Sequence, residues 1–239
     1  LWSGRPVLEL EIELSDLDES WLSSLARGSA WSKYLACRWA WPDANATLRR
    51  SSLLGLEATA VDRPETAEVL DITARRQHTA LLFGGLAHHQ RHGQRMLDTL
   101  LIAGQESERT FKLGIALDLE HPFQAALDLL SPPAVVPTTG GPPRSGPAGW
   151  FFHLDAKSVA VTRVEPVILD GGEGRGLAFH LLETGGRSVR CKLRLFREPV
   201  SARQTDFYDE RIVELSVQGD AVQLDLTPHE LARVVVTLG

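Results

Sequence analysis

Hydrophobic and polar positions alternate with a period of two along much of this chain. Leu8, Leu10, Ile12 and Leu14 are interleaved with Glu9, Glu11 and Glu13. Such alternation puts the apolar side chains on one face of a strand and the carboxylates on the other. The glutamates read as a solvated sheet face, because three like charges in a row would repel one another inside a pocket. The rhythm returns where Val189, Cys191, Leu193 and Leu195 alternate with Arg190, Lys192 and Arg194, then at Val222, Leu224 and Leu226, and at Val234, Val236 and Leu238. Gly185-Gly186 reads as a hairpin turn joining the strand around Leu177, Phe179 and Leu181 to the one beginning at Val189. Gly219-Asp220 is the turn before Val222. Thr227-Pro228-His229-Glu230 has the form of a capping box and predicts one short helical turn.

Helical spacing is rarer. Asp16, with Glu19 three residues on, predicts a cap for a helix that aligns Leu17, Trp21 and Leu25. A second short helix is expected over 122–130, with Phe123, Ala126, Leu127 and Leu130 on one face. The fold class that follows is mainly β, an antiparallel β-sandwich with one or two short helices. Residues 131–149, SPPAVVPTTGGPPRSGPAG, are dominated by proline and glycine and cannot sustain a ladder. The expected organisation is therefore a first β-sandwich part over 1–130, a Pro/Gly-rich loop or linker over 131–149, and a second β part over 150–239 that completes the sandwich.

Composition narrows the functional classes. A chain of 239 residues with a net charge of -6 argues against a nucleic-acid partner, which needs a concentrated basic face. No apolar run is long enough for a membrane span and no signal-peptide pattern opens the chain, so no membrane partner is expected. The chain starts at Leu1 and enters a strand pattern by Val7, which suggests a piece of a longer polypeptide. Cys37 and Cys191 sit in strand-like contexts; buried free thiols are expected, with a disulfide as the alternative.

Candidate chemistry concentrates in residues 81–106, LLFGGLAHHQRHGQRMLDTLLIAGQE. An apolar run meets Gly84-Gly85, then a His/Arg/Gln cluster, then a second apolar run carrying Asp98. This pattern reads as a loop at a surface or cleft. On a helix, His88 and His92 would share a face and bind zinc, but the Glu of a His-Glu-x-x-His helix is missing and the flanking glycines disfavour a helix. Exposed loop histidines beside a basic patch are the commoner reading of His88, His89 and His92. Arg91 and Arg95 could hold a carboxylate or sugar hydroxyls through their planar forks, or pair with Asp98 or Glu106. Trp39 and Trp41 flank Ala40 and share one side of a strand, either as a sugar-stacking platform or as core. No Gly-x-Ser-x-Gly elbow, phosphate-cradling loop or Cys-x-x-Cys pair is present. The Gly171-Gly172-Glu173-Gly174-Arg175-Gly176 run reads as a hairpin loop.

Several of these strings, in this order, carry a family resemblance. Arg38-Trp39-Ala40-Trp41-Pro42-Asp43 resembles the Arg-aromatic-Ala-Trp segment in the β-rich C-terminal part of glycoside hydrolase family 38, the α-mannosidases. Residues 81–106 resemble the strand, loop and strand that follow it, with Met96-Leu97-Asp98 as the Met-x-Asp-like segment. Arg194-Leu195-Phe196-Arg197-Glu198 looks like the family's arginine-leucine-aromatic strand, and Leu226-Thr227-Pro228-His229-Glu230-Leu231 like its closing turn. The match is to divergent bacterial members. Thr99-Leu100 stand where the family has a double arginine.

The resemblance implies stacked antiparallel sheets, a supersandwich similar to galactose mutarotase. It implies that zinc, its ligands and the Asp nucleophile belong to an N-terminal catalytic domain of the same polypeptide, so that no catalytic residue, metal ligand or cofactor is expected in this chain. The partners it implies are that domain and a mannose-containing oligosaccharide. His88, His89, Arg91, Arg95, Asp98, Trp39 and Trp41 become candidates for sugar contact or domain docking. The alternatives are a stand-alone carbohydrate-binding β-sandwich and a cupin-like metal enzyme built on His88, His89 and His92.

Overall fold

The computed structural model describes residues 6–25, 27, 29–52, 55–131, 135, 137, 139–140, 149–168, 175–206, 208 and 212–239. Most of the Pro/Gly-rich stretch and residues 171–174 of the glycine run lie outside them. The chain divides into two compact units, Leu1–Pro132 and Pro133–Gly239.

The first unit carries β1 (Val7–Glu13), α1 (Glu19–Leu25), β2 (Leu35–Ala40), β3 (Thr47–Ser52), β4 (Gly55–Thr59) and β5 (Val69–Ala74). It continues with β6 (Gln77–Leu82), β7 (His89–Arg91), β8 (Met96–Ile102), β9 (Thr110–Leu117) and α2 (Pro122–Leu130). One sheet runs β1-β9-β6-β5-β3-β4 and a smaller one β2-β8-β7, with antiparallel pairing throughout. The two close face to face on a shared core: Trp39, Trp41, Leu97 and Leu101 from the small sheet meet Leu48, Leu70, Ile72, Leu81, Phe111 and Leu113 from the large one. The opposite face of the large sheet is also covered. Val69, Ala80, Leu82 and Ala116 turn that way and pack with Ala126 of α2. Burial on both faces is why Ala80-Leu81-Leu82 is a continuous apolar run rather than an alternation.

The helices form where expected, with shifts in detail. Asp18, not Asp16, caps α1: its carboxylate accepts the Trp21 N–H at 3.0 Å. Asp16 lies in the left-handed turn that leaves β1 (φ 55), two residues too early to reach the orphan donors of the first turn. In α2 the inward face is Pro122, Ala126 and Leu129 with Phe123, rather than Leu127 and Leu130. The turn after β6 needs glycine. Gly84 has φ +55, and a Cβ there would lie 2.1 Å from the Lys112 carbonyl oxygen of β9.

The second unit carries β10 (Phe152–Leu154), β11 (Val159–Ile168), β12 (Arg175–Glu183), β13 (Val189–Leu195) and β14 (Pro199–Thr205). After these come β15 (Ile212–Glu214), β16 (Ser216–Gln218), β17 (Ala221–Leu226) and β18 (Leu231–Leu238). A sheet of order β10-β13-β17-β16 faces one of order β11-β12-β18-β14-β15. Cys191, Leu193, Leu195, Val222, Leu224 and Leu226 of the first meet Phe179, Leu181, Ala202, Val234 and Val236 of the second. Both units are thus antiparallel sandwiches.

Gly185-Gly186 is not a hairpin turn, because β12 and β13 belong to different sheets. The connection crosses from one layer to the other, and Glu183 organises it. Its fully buried carboxylate accepts the backbone N–H groups of Gly185 (2.8 Å), Gly186 (2.7 Å), Arg187 (3.2 Å) and His229 (3.1 Å). His229 lies in the turn between β17 and β18, another crossing between the layers. There one of the two capping-box bonds forms, Thr227 N–H to the Glu230 carboxylate at 2.7 Å; the Thr227 hydroxyl donates to the same carboxylate at 2.8 Å, and the Glu230 N–H goes to the Thr227 carbonyl at 3.1 Å. The helical turn does not form, because His229 takes φ 59. Gly219 turns β16 into β17 as its sequence predicts (φ +59). Cys37 and Cys191 are both free thiols.

Candidate functional site

The small sheet of the first unit sets the site by parity. Trp39 points into the sandwich, so Arg38, one residue earlier on β2, points outward. On β8, Leu97 points inward and Asp98 outward. Register places Arg38 directly opposite Asp98. The guanidinium takes the carboxylate in two parallel bonds, Nε to Oδ1 at 2.6 Å and Nη2 to Oδ2 at 2.8 Å. Tyr34, on the segment entering β2, donates its hydroxyl to Oδ2 at 3.2 Å. His92, in the β7–β8 hairpin, brings Nε2 to 3.0 Å from Oδ2 and 3.1 Å from the Tyr34 oxygen. Asp98 is left 2% exposed on what is otherwise an outer face.

A cavity of about 690 Å³ opens above this network, walled by Trp21, Trp31 and Tyr34 and floored by Arg38, His92 and Asp98. Arg63 stacks over Trp31 at 4.7 Å and the His88 ring meets Trp31 edge-on at 5.8 Å, so that indole is held from two sides. The Arg38 hydrogen bonds hold the Asp98 carboxyl below its ordinary value, against the opposing effect of burial. Burial, and then the Asp98 charge, push the Tyr34 phenol up. At neutral pH the pair is therefore ionised and the phenol neutral. A carboxylate so fully engaged is a poor nucleophile and a poor proton donor. What the arrangement offers is recognition: aromatic walls beside fixed polar groups suit a ligand rich in hydroxyls.

The residues expected from the sequence scatter to different places. The supposed loop contains strand β7, and His89 on it is fully buried. Its Nε2 lies 2.9 Å from the Thr66 carbonyl, which can only accept, so Nε2 carries the proton. Nδ1 then accepts the Thr99 hydroxyl at 3.1 Å, and that hydroxyl in turn accepts the Trp39 indole N–H at 2.9 Å. With both ring nitrogens used and the ring out of solvent, His89 contacts neither sugar nor metal. Burial pushes it down to about 4, so it is neutral. Thr99 anchors this relay from inside the core, and Leu100 beside it is buried.

Trp39 and Trp41, 8% and 9% exposed, are core residues and form no platform. Arg95 is exposed and reaches the Pro42 carbonyl at 3.4 Å. Neither Arg91 nor Arg95 pairs with Asp98, whose partner is Arg38, or with Glu106, which accepts the Ala103 and Gly104 N–H groups. Among the described residues no group of three His, Cys, Asp or Glu side chains could hold a metal ion. His88, His89 and His92 go respectively to Trp31, the core and Asp98, so they fit neither zinc nor a cupin-like centre. Tyr34 and Trp31 were not singled out by sequence. Arg38 was not singled out either, because its outward direction follows only once Trp39 is seen to face the core.

No protein-family model and no curated protein matches this sequence. Solved structures do match. An alpha-mannosidase from Enterococcus faecalis V583 superposes with a TM-score of 0.62 at 13% identity, covering 84% of this chain and 25% of that one. A protein in the glycosyl hydrolase family 38 from Enterococcus faecalis gives a TM-score of 0.61 at 15% identity, over 80% of this chain and 24% of that one. The chain thus has the fold of about a quarter of these longer proteins.

Proposed function

We propose that this chain is the non-catalytic C-terminal β-sandwich portion of a family 38-like α-mannosidase. The observation that carries the reading is the match of 84% of the chain to only 25% of a solved α-mannosidase. The ordered string resemblances along the sequence support it independently. In this reading the architecture is of the galactose mutarotase type, and an N-terminal catalytic domain of the same polypeptide performs retaining hydrolysis of an α-mannoside. In this reading the zinc that would orient substrate hydroxyls is held by that domain; among the described residues here no His, Cys, Asp and Glu group fits it. The present chain supplies scaffold, and the Arg38–Asp98–Tyr34–His92 network borders the oligosaccharide.

A second reading is a stand-alone carbohydrate-binding module. The aromatic-walled cavity favours it, with Trp21, Trp31 and Tyr34 in place of the buried Trp39 and Trp41. Calorimetric titration of the folded chain with α-linked mannotriose separates the two. The accessory reading expects no saturable binding below about 1 mM; a dissociation constant tighter than that, without hydrolysis, establishes the module.

A further inference from the structure

The cavity walled by Trp21, Trp31 and Tyr34 shows its charges unequally. The Arg38 side chain is 55% exposed, whereas that of Asp98, its ion-pair partner, is 3% exposed. The Asp98 oxygens are already engaged by Arg38, Tyr34 and His92. The pair therefore turns its positive end to the cavity and keeps its negative end against the sheet. Lys33 lines the same space, and Asp98 is the only acidic residue among the described residues that do. The Lys33 ammonium donates to the Ser24 hydroxyl, which donates in turn to the Trp21 carbonyl, so the cation is tethered beside the Trp21 wall. A third cation, Arg63, is stacked on Trp31. In a chain of net charge -6, a cavity whose reachable charges are positive is a local reversal.

We propose that this cavity takes an anionic saccharide, with the pyranose ring against the aromatic walls and an acidic substituent on Lys33 and Arg38. The proposal rests on the reading, given above, that the cavity meets a sugar, and adds the charge class of that sugar. Every hydroxyl of a neutral sugar brings a proton that needs an acceptor, and the carboxylate that could accept it, Asp98, is out of reach. An anionic group brings acceptors alone, which matches the donors that the wall presents. The indole and phenol surfaces cover the C–H face of the ring behind it. Carboxylate and phosphate share this chemistry, and the titration separates them.

The test is calorimetric titration of the folded 239-residue chain with methyl α-mannoside, mannuronate, mannose 6-phosphate and inorganic phosphate. At least one acidic sugar is expected to bind saturably and at least about tenfold more tightly than the methyl mannoside, with the advantage shrinking as salt is raised from about 0.05 M to about 0.5 M. Which acid binds more tightly identifies the group that is read. Lys33→Gln should cut that advantage at least about threefold. Lys33 is exposed, so this variant should keep the Tm of the parent within about 2 °C. Trp31→Ala should weaken the acidic sugars as well, through loss of the stacking wall. Methyl α-mannoside binding as tightly as both acidic sugars overturns the proposal and leaves the sugar reading of the cavity standing. Inorganic phosphate binding as tightly as the acidic sugars overturns both. No binding of either acidic sugar, or an advantage unchanged in Lys33→Gln, overturns the proposal alone.

Discussion

Asp98 and His89 lie in the same stretch of sequence and do opposite things with burial. Asp98 keeps its charge because Arg38 compensates it; His89 gives up its charge because nothing does. Asp98→Asn leaves Arg38 without its carboxylate and should cost about 1–3 kcal/mol in urea unfolding at pH 7. Since the folded-state value of Asp98 lies below the unfolded one, its contribution is present above about pH 4 and is lost as pH falls through the folded value. His89 acts in a higher window. Between 6.5 and about 4 the unfolded state binds its proton and the folded state does not, so stability falls as pH drops through that range. The whole interval is worth about 3 kcal/mol. Unfolding curves taken from pH 7 to pH 4 should show this slope, and His89→Asn should flatten it; an equal slope in both proteins contradicts the assignment. The sequence pointed to the neighbourhood but not to these roles. A histidine in a polar cluster looks exposed until the register of β7 on β8 turns it inward beside Thr99.

At the scale of elements, alternation was the dependable signal. The strands around Leu10, Leu193, Leu224 and Val234 formed on schedule because a two-residue period can bury only one face. Turns were less legible. A double glycine permits a hairpin and equally a crossing between layers, and only the pairing of β12 with β11 and β18 decides which. Glu183 is the residue that makes the crossing hold. Glu183→Gln leaves one acceptor oxygen and no charge for four backbone donors, so a loss of about 2–3 kcal/mol is expected. Amide hydrogen exchange at Gly185, Gly186 and His229 should accelerate together in that variant. Exchange unchanged at those three amides would show that the carboxylate is not what orders the crossing.

On the scale of the whole chain, the mainly β class and the sandwich were readable from sequence, and the likeness to part of longer α-mannosidases agrees with the resemblance seen in its strings. The cavity walls were not readable, because Trp31, Tyr34 and Asp98 lie up to 67 positions apart and meet only through the pairing of β2 with β8. As proposed above, these sandwiches would serve an α-mannosidase without carrying its chemistry. The direct measurement is release of 4-nitrophenol from 4-nitrophenyl α-D-mannopyranoside by the folded 239-residue chain in the presence and absence of zinc. No release above the uncatalysed rate is expected in either condition. Turnover by this chain alone that rises on adding zinc and vanishes with a chelator would contradict it.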